Sequence, residues 1–348
     1  MNTPMNRPQG HGLIRLGRMS LLWDIGALWT GSVLLVLTAA ATLVCLVGDG
    51  VTARQVLATL TGHGDPFQQL LVYQLRLPRL IAGLLSGAAL GAAGCLMQTL
   101  ARNRLATPGM VGLDNGATAF AVASIVAVPT SLAPSALALT GAATAAGLTF
   151  MLAAGSGARG YRFIVVGLGT GALFGAVTNL MLARADMDAA NAAYPWTIGS
   201  LNARPAQAVW LLALGLVIGL PLARSLGRSL ALMRFSDSVA ITLGLRVGAT
   251  RAATLGLSVS LTGLAVAVAG PLGLVALIAP EIARYLNRSR GVPVLNAAWC
   301  GALLTLIADW LGRTALTPIE IPVGIIMALI GAPYLLWIIL RLPKRSTT

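Results

Sequence analysis

"LMQTLARNRLATPGMVG", residues 96–112, sets Arg102, Asn103, Arg104 and the Pro108-Gly109 pair between two long apolar runs. What surrounds the interruption decides its meaning. Hydrophobic residues make up 57% of the 348-residue chain and charged residues 10%, with a mean hydropathy of +0.82. Soluble domains run at roughly 45–50% apolar and about 25% charged. The apolar runs recur at lengths near the ~20 residues with which a helix crosses a hydrocarbon core of about 30 Å. The composition therefore predicts an all-α polytopic membrane bundle, and the quoted stretch is a polar turn between two of its spans.

Ten spans are expected, near 26–48, 75–99, 108–128, 132–154, 161–183, 205–226, 250–270, 272–288, 294–313 and 320–342. The third and fourth are separated only by Pro129 and Pro134, and the third is expected to restart as a helix at Pro108, since proline suits a first turn. The first apolar run is too long for a cleavable leader, and no small-residue cleavage site stands out. The organisation is a tail over 1–25, a ten-span unit over 26–342 with a cytoplasmic loop at about 227–250, and a second tail at 343–348.

Cationic residues in short loops favour the cytoplasmic side. With a cytoplasmic N-terminus, all but six of the 24 Lys and Arg residues fall inside; Arg54, Arg76, Arg79, Arg184, Arg204 and Arg313 fall outside. Both termini are then cytoplasmic. The same scatter explains the +14 net charge without nucleic acid, because no basic stripe with interleaved aromatics is present.

Arg102 and Arg104 read as topological anchors. That reading leaves unexplained the cluster of Asn103, Thr107, Asp114 and Asn115 at the start of a span, since polar groups at membrane depth are costly unless they face protein or a water-filled path. Two stripes of glycine at four-residue spacing, Gly83/Gly87/Gly91 and Gly167/Gly171/Gly175, predict close helix packing. A faint echo links the segment from Ala93 with that from Ala269, each an apolar run ending in an Arg-bearing turn. Assigned to spans two and seven, it suggests halves of opposite direction, an architecture common among transporters.

Several chemistries are excluded. A nucleotide-binding P-loop needs a lysine after its glycines, and the only lysine is Lys344. His11 and His63 stand alone, and Cys45, Cys95 and Cys300 lack metal-ligand spacing, so they read as small buried hydrophobes. No nucleophile, base and orienter constellation for an intramembrane enzyme is visible. Asp114, Glu281 and Asp309 fall in or beside spans, where an ionisable group is a functional candidate; they would carry the coupling ion in a secondary transporter. Glu281 and Arg284 also stand at i,i+3, which suits a local ion pair. Ser236 to Gly244 read as a short helix within the longest cytoplasmic interval, with Ser236 as N-cap and Asp237 in the first turn.

Seven strings in order resemble one family: the permease subunits of ABC importers for ferric siderophores, haem and cobalamin, of the FecCD/BtuC type. They are "RLPRLIAGLLSGAALGAAGCLMQ" from Arg76, "RNRLATPGMVGLDNGA", "TIGSLNARP", "ITLGLRVGATR", "GPLGLVALIAPEIAR", "LIADWLGR" and "IEIPVGIIMALIGAPYLLWII". The resemblance covers about residues 70–342. It implies a ten-span half-transporter with inverted-repeat halves in the bacterial inner membrane, paired with a second permease chain, identical or paralogous. It further implies two cytoplasmic ATPase subunits, which supply ATP and Mg, and a periplasmic or lipid-anchored substrate-binding protein. This chain itself would bind no cofactor and catalyse nothing.

The resemblance assigns ATPase coupling to Ser236, Asp237, Ser238, Ala240, Leu243 and Gly244, and docking of the binding protein to Arg76, Arg79 and Arg313. It assigns the gate and pathway to Asn103, Leu105, Asp114 and Asn115, with Gly160 and Tyr161 as a second constriction. Three residues depart from the family pattern: Arg104 replaces a usual proline, Glu281 a usual histidine, and Asp114 a usual serine or asparagine. The expected cargo is a ferric siderophore complex; haem or cobalamin import and ion-coupled secondary transport are the alternatives.

Overall fold

In the computed structural model, residues 11–16, 19–47, 52–126, 133–153, 161–202, 204–287 and 291–341 are described. Before the first helix, β1 (His11–Leu16) and β2 (Met19–Asp24) form an antiparallel hairpin pairing Leu16 with Met19. The sequence reading expected only a tail there; the Leu, Ile and Trp residues of these segments suit strands.

Ten helices occupy the ten expected places: α1 (Ile25–Leu46), α4 (Leu77–Ala101), α5 (Leu113–Val126), α6 (Pro134–Leu152), α7 (Tyr161–Arg184), α9 (Ala206–Met233), α11 (Val247–Ala269), α12 (Gly273–Leu286), α13 (Val294–Thr314) and α14 (Val323–Arg341). Four short helices lie between them: α2 (Ala53–Leu60), α3 (Pro66–Gln69), α8 (Met187–Ile198) and α10 (Asp237–Thr242). A π-helical stretch, Leu70–Arg76, joins α3 to α4. Among the described residues, seven helices are long and apolar enough to cross a membrane. The 14 residues each of α5 and α12 rise only about 21 Å at 1.5 Å per residue.

Packing fixes the directions. Along α4, Gly83 faces Thr305 and Leu306, Gly87 faces Gly301, and Gly91 faces Ala297, so α4 and α13 run antiparallel. A methyl group on Gly87 or Gly91 would collide with the carbonyl oxygen of Gly301 or Ala297. The backbones meet because these residues carry no side chain. Gly116 and Phe120 of α5 meet Ala145 and Gly141 of α6, and Gly215 and Gly219 of α9 meet Leu264 and Leu261 of α11, also antiparallel. Asn296 binds Thr30 and Leu306 lies against Cys45, so α1 runs parallel to α13. All these directions fit a chain that reverses at each of its ten spans.

Two expectations are corrected and one element is added. Pro108 opens a 3-10 turn, Pro108–Val111, and α5 starts only after Gly112 in the left-handed region. The sixth span runs on to Met233, through Pro221. The region after Arg184 holds α8, whose Ala193 and Trp196 are buried. Its C-terminus enters the bundle, where Gly199 and Gly270 bring two loops together against the first turn of α14 at Gly324. Proline in the first turn of α6 separates it from α5; Pro129 lies outside the described residues.

The echo between the Ala93 and Ala269 segments is also corrected. Gly94 touches Ala276, Gln98 donates to the Leu277 carbonyl and Arg104 meets Glu281. The two segments run parallel to the same face, because the second follows α12, an even-numbered span like α4. This echo is therefore no mark of inversion.

Candidate functional site

The polar residues gather at the two ends of α4. At its C-terminal end the helix closes in a Schellman motif: the Arg102 N–H donates to Thr99 O and the Asn103 N–H to Gln98 O. Arg102 itself takes the left-handed conformation, φ 51°, uncommon for a residue with a Cβ. Asn103 Oδ1 then accepts from the Leu105 N–H at 2.9 Å, an Asx turn. The turn is thus a fixed bend, with Asn103 exposed and Leu105 half-buried.

Charged contacts leave this bend in two directions. Arg102 donates to Met233 O at the end of α9 and lies 3.7 Å from Asp237, which also pairs with Arg251. Arg104 Nη1 lies 2.8 Å from Glu281 Oε1. The other Glu281 oxygen takes Arg284 at 2.7 Å, and Arg284 also binds Gln98 of α4. Two of the three departures from the family pattern, Arg104 and Glu281, are therefore partners of each other.

Beside the bend stands α10. Ser236 Oγ caps it by accepting from the Val239 N–H at 3.1 Å, and Ser238 Oγ lies 3.0 Å from Ser236 Oγ. Gly244 ends it in a second Schellman motif: its N–H donates to Ile241 O and that of Leu245 to Ala240 O. Gly244 has φ +83° and open space where a side chain would stand, so glycine serves backbone conformation there. Ala240 is buried against the bundle, while Phe235 (78% exposed), Ile241 (60%) and Leu243 (62%) project outward. These three side chains form an exposed apolar group around the capped turn.

Near the start of α5, Asp114 stands half-buried, its carboxylate against Gly109 and Gly273. Asn115 binds Gly171 O at 2.9 Å and ties α5 to α7. Gly160 lies outside the described residues, as does the Tyr161 side chain, so the second constriction is not described. Cys45, Cys95 and Cys300 are buried free thiols, and no metal-ligating cluster occurs among the described residues.

The opposite end of α4 carries a cavity of about 280 Å³. Arg76, Arg79 and Arg313 line it, and each is engaged within the chain. Arg76 is buried and donates to Leu46 O. Arg79 pairs with Asp309 at 2.9 Å and Glu320 at 2.8 Å, and Arg313 pairs with Asp309 at 3.2 Å. Arg204, assigned no role from sequence, joins them: it stacks on Trp196 with 4.1 Å to the ring centroid and donates to Ser200 O. Its Nη2 has no hydrogen-bond partner among the described residues, and burial pushes its guanidinium down to about 10. It therefore stays charged at neutral pH. Its place within "TIGSLNARP" was the available signal.

A helical bundle with seven helices long and apolar enough to cross a membrane among the described residues, and polar clusters at both ends of α4, defines a polytopic membrane protein. Residues 33–341 match the FecCD transport family, and the chain belongs to it. It is 37% identical to the Fe(3+)-citrate import system permease protein YfmE of Bacillus subtilis, with 82% of this chain and 86% of that protein covered. It is 33% identical to the ferric enterobactin transport system permease protein FepG of Escherichia coli, covering 84% and 89%. Among solved structures, an inward-facing metal-chelate type ABC transporter superposes with a TM-score of 0.77 at 24% identity, over 91% of this chain and all of that one.

Proposed function

We propose that this chain is the membrane-spanning subunit of an ATP-driven importer for a ferric siderophore complex in a bacterial inner membrane. The observation that carries the reading is α10: a capped, rigid, outward-facing apolar turn on a chain whose only lysine, Lys344, leaves it without a P-loop. A transporter without its own nucleotide site needs such a surface to receive work. The distribution of cations supports a cytoplasmic position for α10 and for both termini.

In this reading, cytoplasmic ATPase subunits hold ATP and Mg and seat on α10. The pore lies between this chain and a second permease chain. A binding protein delivers the cargo at the four-arginine face, where opposite charge steers the encounter and fixes register. The relatives named for ferric citrate and ferric enterobactin support a ferric chelate as cargo.

Ion-coupled transport is the weaker reading. Two of its three acids are occupied, Glu281 by Arg104 and Arg284, and Asp309 by Arg79 and Arg313. The test is uptake of radioiron-labelled siderophore into proteoliposomes holding the assembled complex. Uptake is expected to require internal ATP and to survive collapse of the proton gradient; gradient-dependent, ATP-independent uptake would overturn the proposal.

A further inference from the structure

We infer that the bend after α4 is a relay: Arg102 takes up displacement of α10, and Arg104 passes it to α12 through Glu281. The inference rests on the proposed coupling role of α10 and extends it by naming the route from that surface into the bundle.

Three consecutive residues carry the argument. Arg102 reaches the α9–α10 junction through Met233 O and Asp237. Asn103 closes the bend on itself through the Leu105 N–H. Arg104 reaches α12 through Glu281, 177 positions away in sequence. Because the Schellman motif and the Asx turn brace the backbone between the two arginines, a pull on Arg102 moves Arg104 with it. A topological anchor needs no carboxylate partner, since headgroups and water serve that role; here both arginines have one.

The receiving end is built for the same task. Glu281, 16% exposed, is held from its other side by Arg284, and Arg284 by Gln98, which donates in turn to Leu277 O. The charge ring therefore closes on α4 and fixes the Glu281 carboxylate. Pro280, one residue earlier, removes an intrahelical hydrogen bond from α12. Sharp bends in helices occur at such positions. The Arg104 side chain, 61% exposed, reaches the largely buried Glu281 carboxylate from the solvent side. The start of α12 at Gly273 lies against Asp114 at the start of α5, so pivoting α12 at Pro280 carries movement from the α10 face toward α5. Contiguous charge contacts of this kind are physical carriers of coupling only when a perturbation of both members shows it.

The decisive experiment is a charge swap in the complete complex, with ATPase subunits and binding protein present. Arg104→Glu, Glu281→Arg and the combined variant are reconstituted, and cargo moved per ATP hydrolysed is measured beside ATPase co-purification. Each single change is expected to lower that ratio about tenfold, the size of a close charge-pair coupling, while the ATPase stays bound and active; the combined change is expected to restore most of it. Should a reversed charge lower the amount of folded chain, Arg104→Gln and Glu281→Gln in a double-mutant cycle replace it, and the effect of Arg104→Gln should vanish when Glu281 is already Gln. Unchanged ratios in the single variants, a combined variant no better than the worse single one, or fully additive Gln effects overturn the relay alone. A wild-type complex that captures no ATPase overturns the proposed function and the relay with it.

Discussion

Arg79 Nε lies 2.9 Å from Asp309 Oδ1 and joins the start of α4 to the end of α13, with Asp309 only 2% exposed. Arg313 holds the other carboxylate oxygen at 3.2 Å. One buried acid thus bridges two arginines from different helices, and Glu320 supplies the second negative charge. Removing one member of a buried ion pair typically costs about 3–5 kcal/mol, because the other charge stays behind. Asp309→Asn should therefore lower the unfolding temperature of the detergent-purified chain markedly. A variant as stable as the parent would show that the clamp is not structural.

Glu320 reaches Arg79 from the loop before α14 at 2.8 Å and is 52% exposed. Under the docking reading it occupies a guanidinium that an acidic partner would use. Glu320→Gln should speed association of the binding protein several-fold at low salt, with the gain shrinking as ionic strength rises. Arg204→Ala should slow it. Surface plasmon resonance on nanodisc-embedded complex, run across a salt series, reads both; equal rates for all three chains would exclude these residues from docking.

Asp114 is the one acid of the ion-coupled reading for which no ion pair occurs among the described residues, and it sits against Gly109 and Gly273. If transport is driven by ATP, Asp114→Asn should retain most of the ATP-dependent uptake in proteoliposomes. Loss of uptake together with loss of proton movement would return the ion-coupled reading.

The glycine stripe on α4 permits a sharp comparison. Gly91→Val forces a branched side chain into the Ala297 carbonyl, whereas Gly256 of α11 has nothing within 4 Å. Gly91→Val should abolish the folded chain in membranes, measured by size-exclusion chromatography after mild extraction. Gly256→Ala should be neutral or slightly stabilising, since alanine is the better helix former by about 1 kcal/mol.

Much of this was legible in the sequence because membrane spans announce themselves by length and hydropathy. Ser236 and Gly244 bracket α10 as local chemistry dictates, and Gly83, Gly87 and Gly91 pack as their spacing implies. Gly175 does not follow suit; only Asn115 comes near it, at 3.9 Å. The 3-10 turn at Pro108 was missed because proline suits either helix type. The inserted helix α8 was missed because its polar, alanine-rich sequence is too short to resemble a span. The pairings Arg79 to Asp309 and Arg104 to Glu281 cross 230 and 177 positions, and no local pattern encodes a contact between helices so far apart. Sequence named these residues; only the packing made them partners.

The most direct measurement is a pull-down of the tagged chain from native membranes in mild detergent, with mass spectrometry, beside Gly244→Trp and Gly244→Ala. Co-purification of an ATPase with the parent chain, reduced with Gly244→Ala and lost with Gly244→Trp, is the predicted result. The alanine strains a left-handed position, and the tryptophan also blocks the contact surface. An ATPase retained by Gly244→Trp, or none captured by the parent chain even after crosslinking, would contradict the assignment of α10 as the place where ATP hydrolysis drives this transporter.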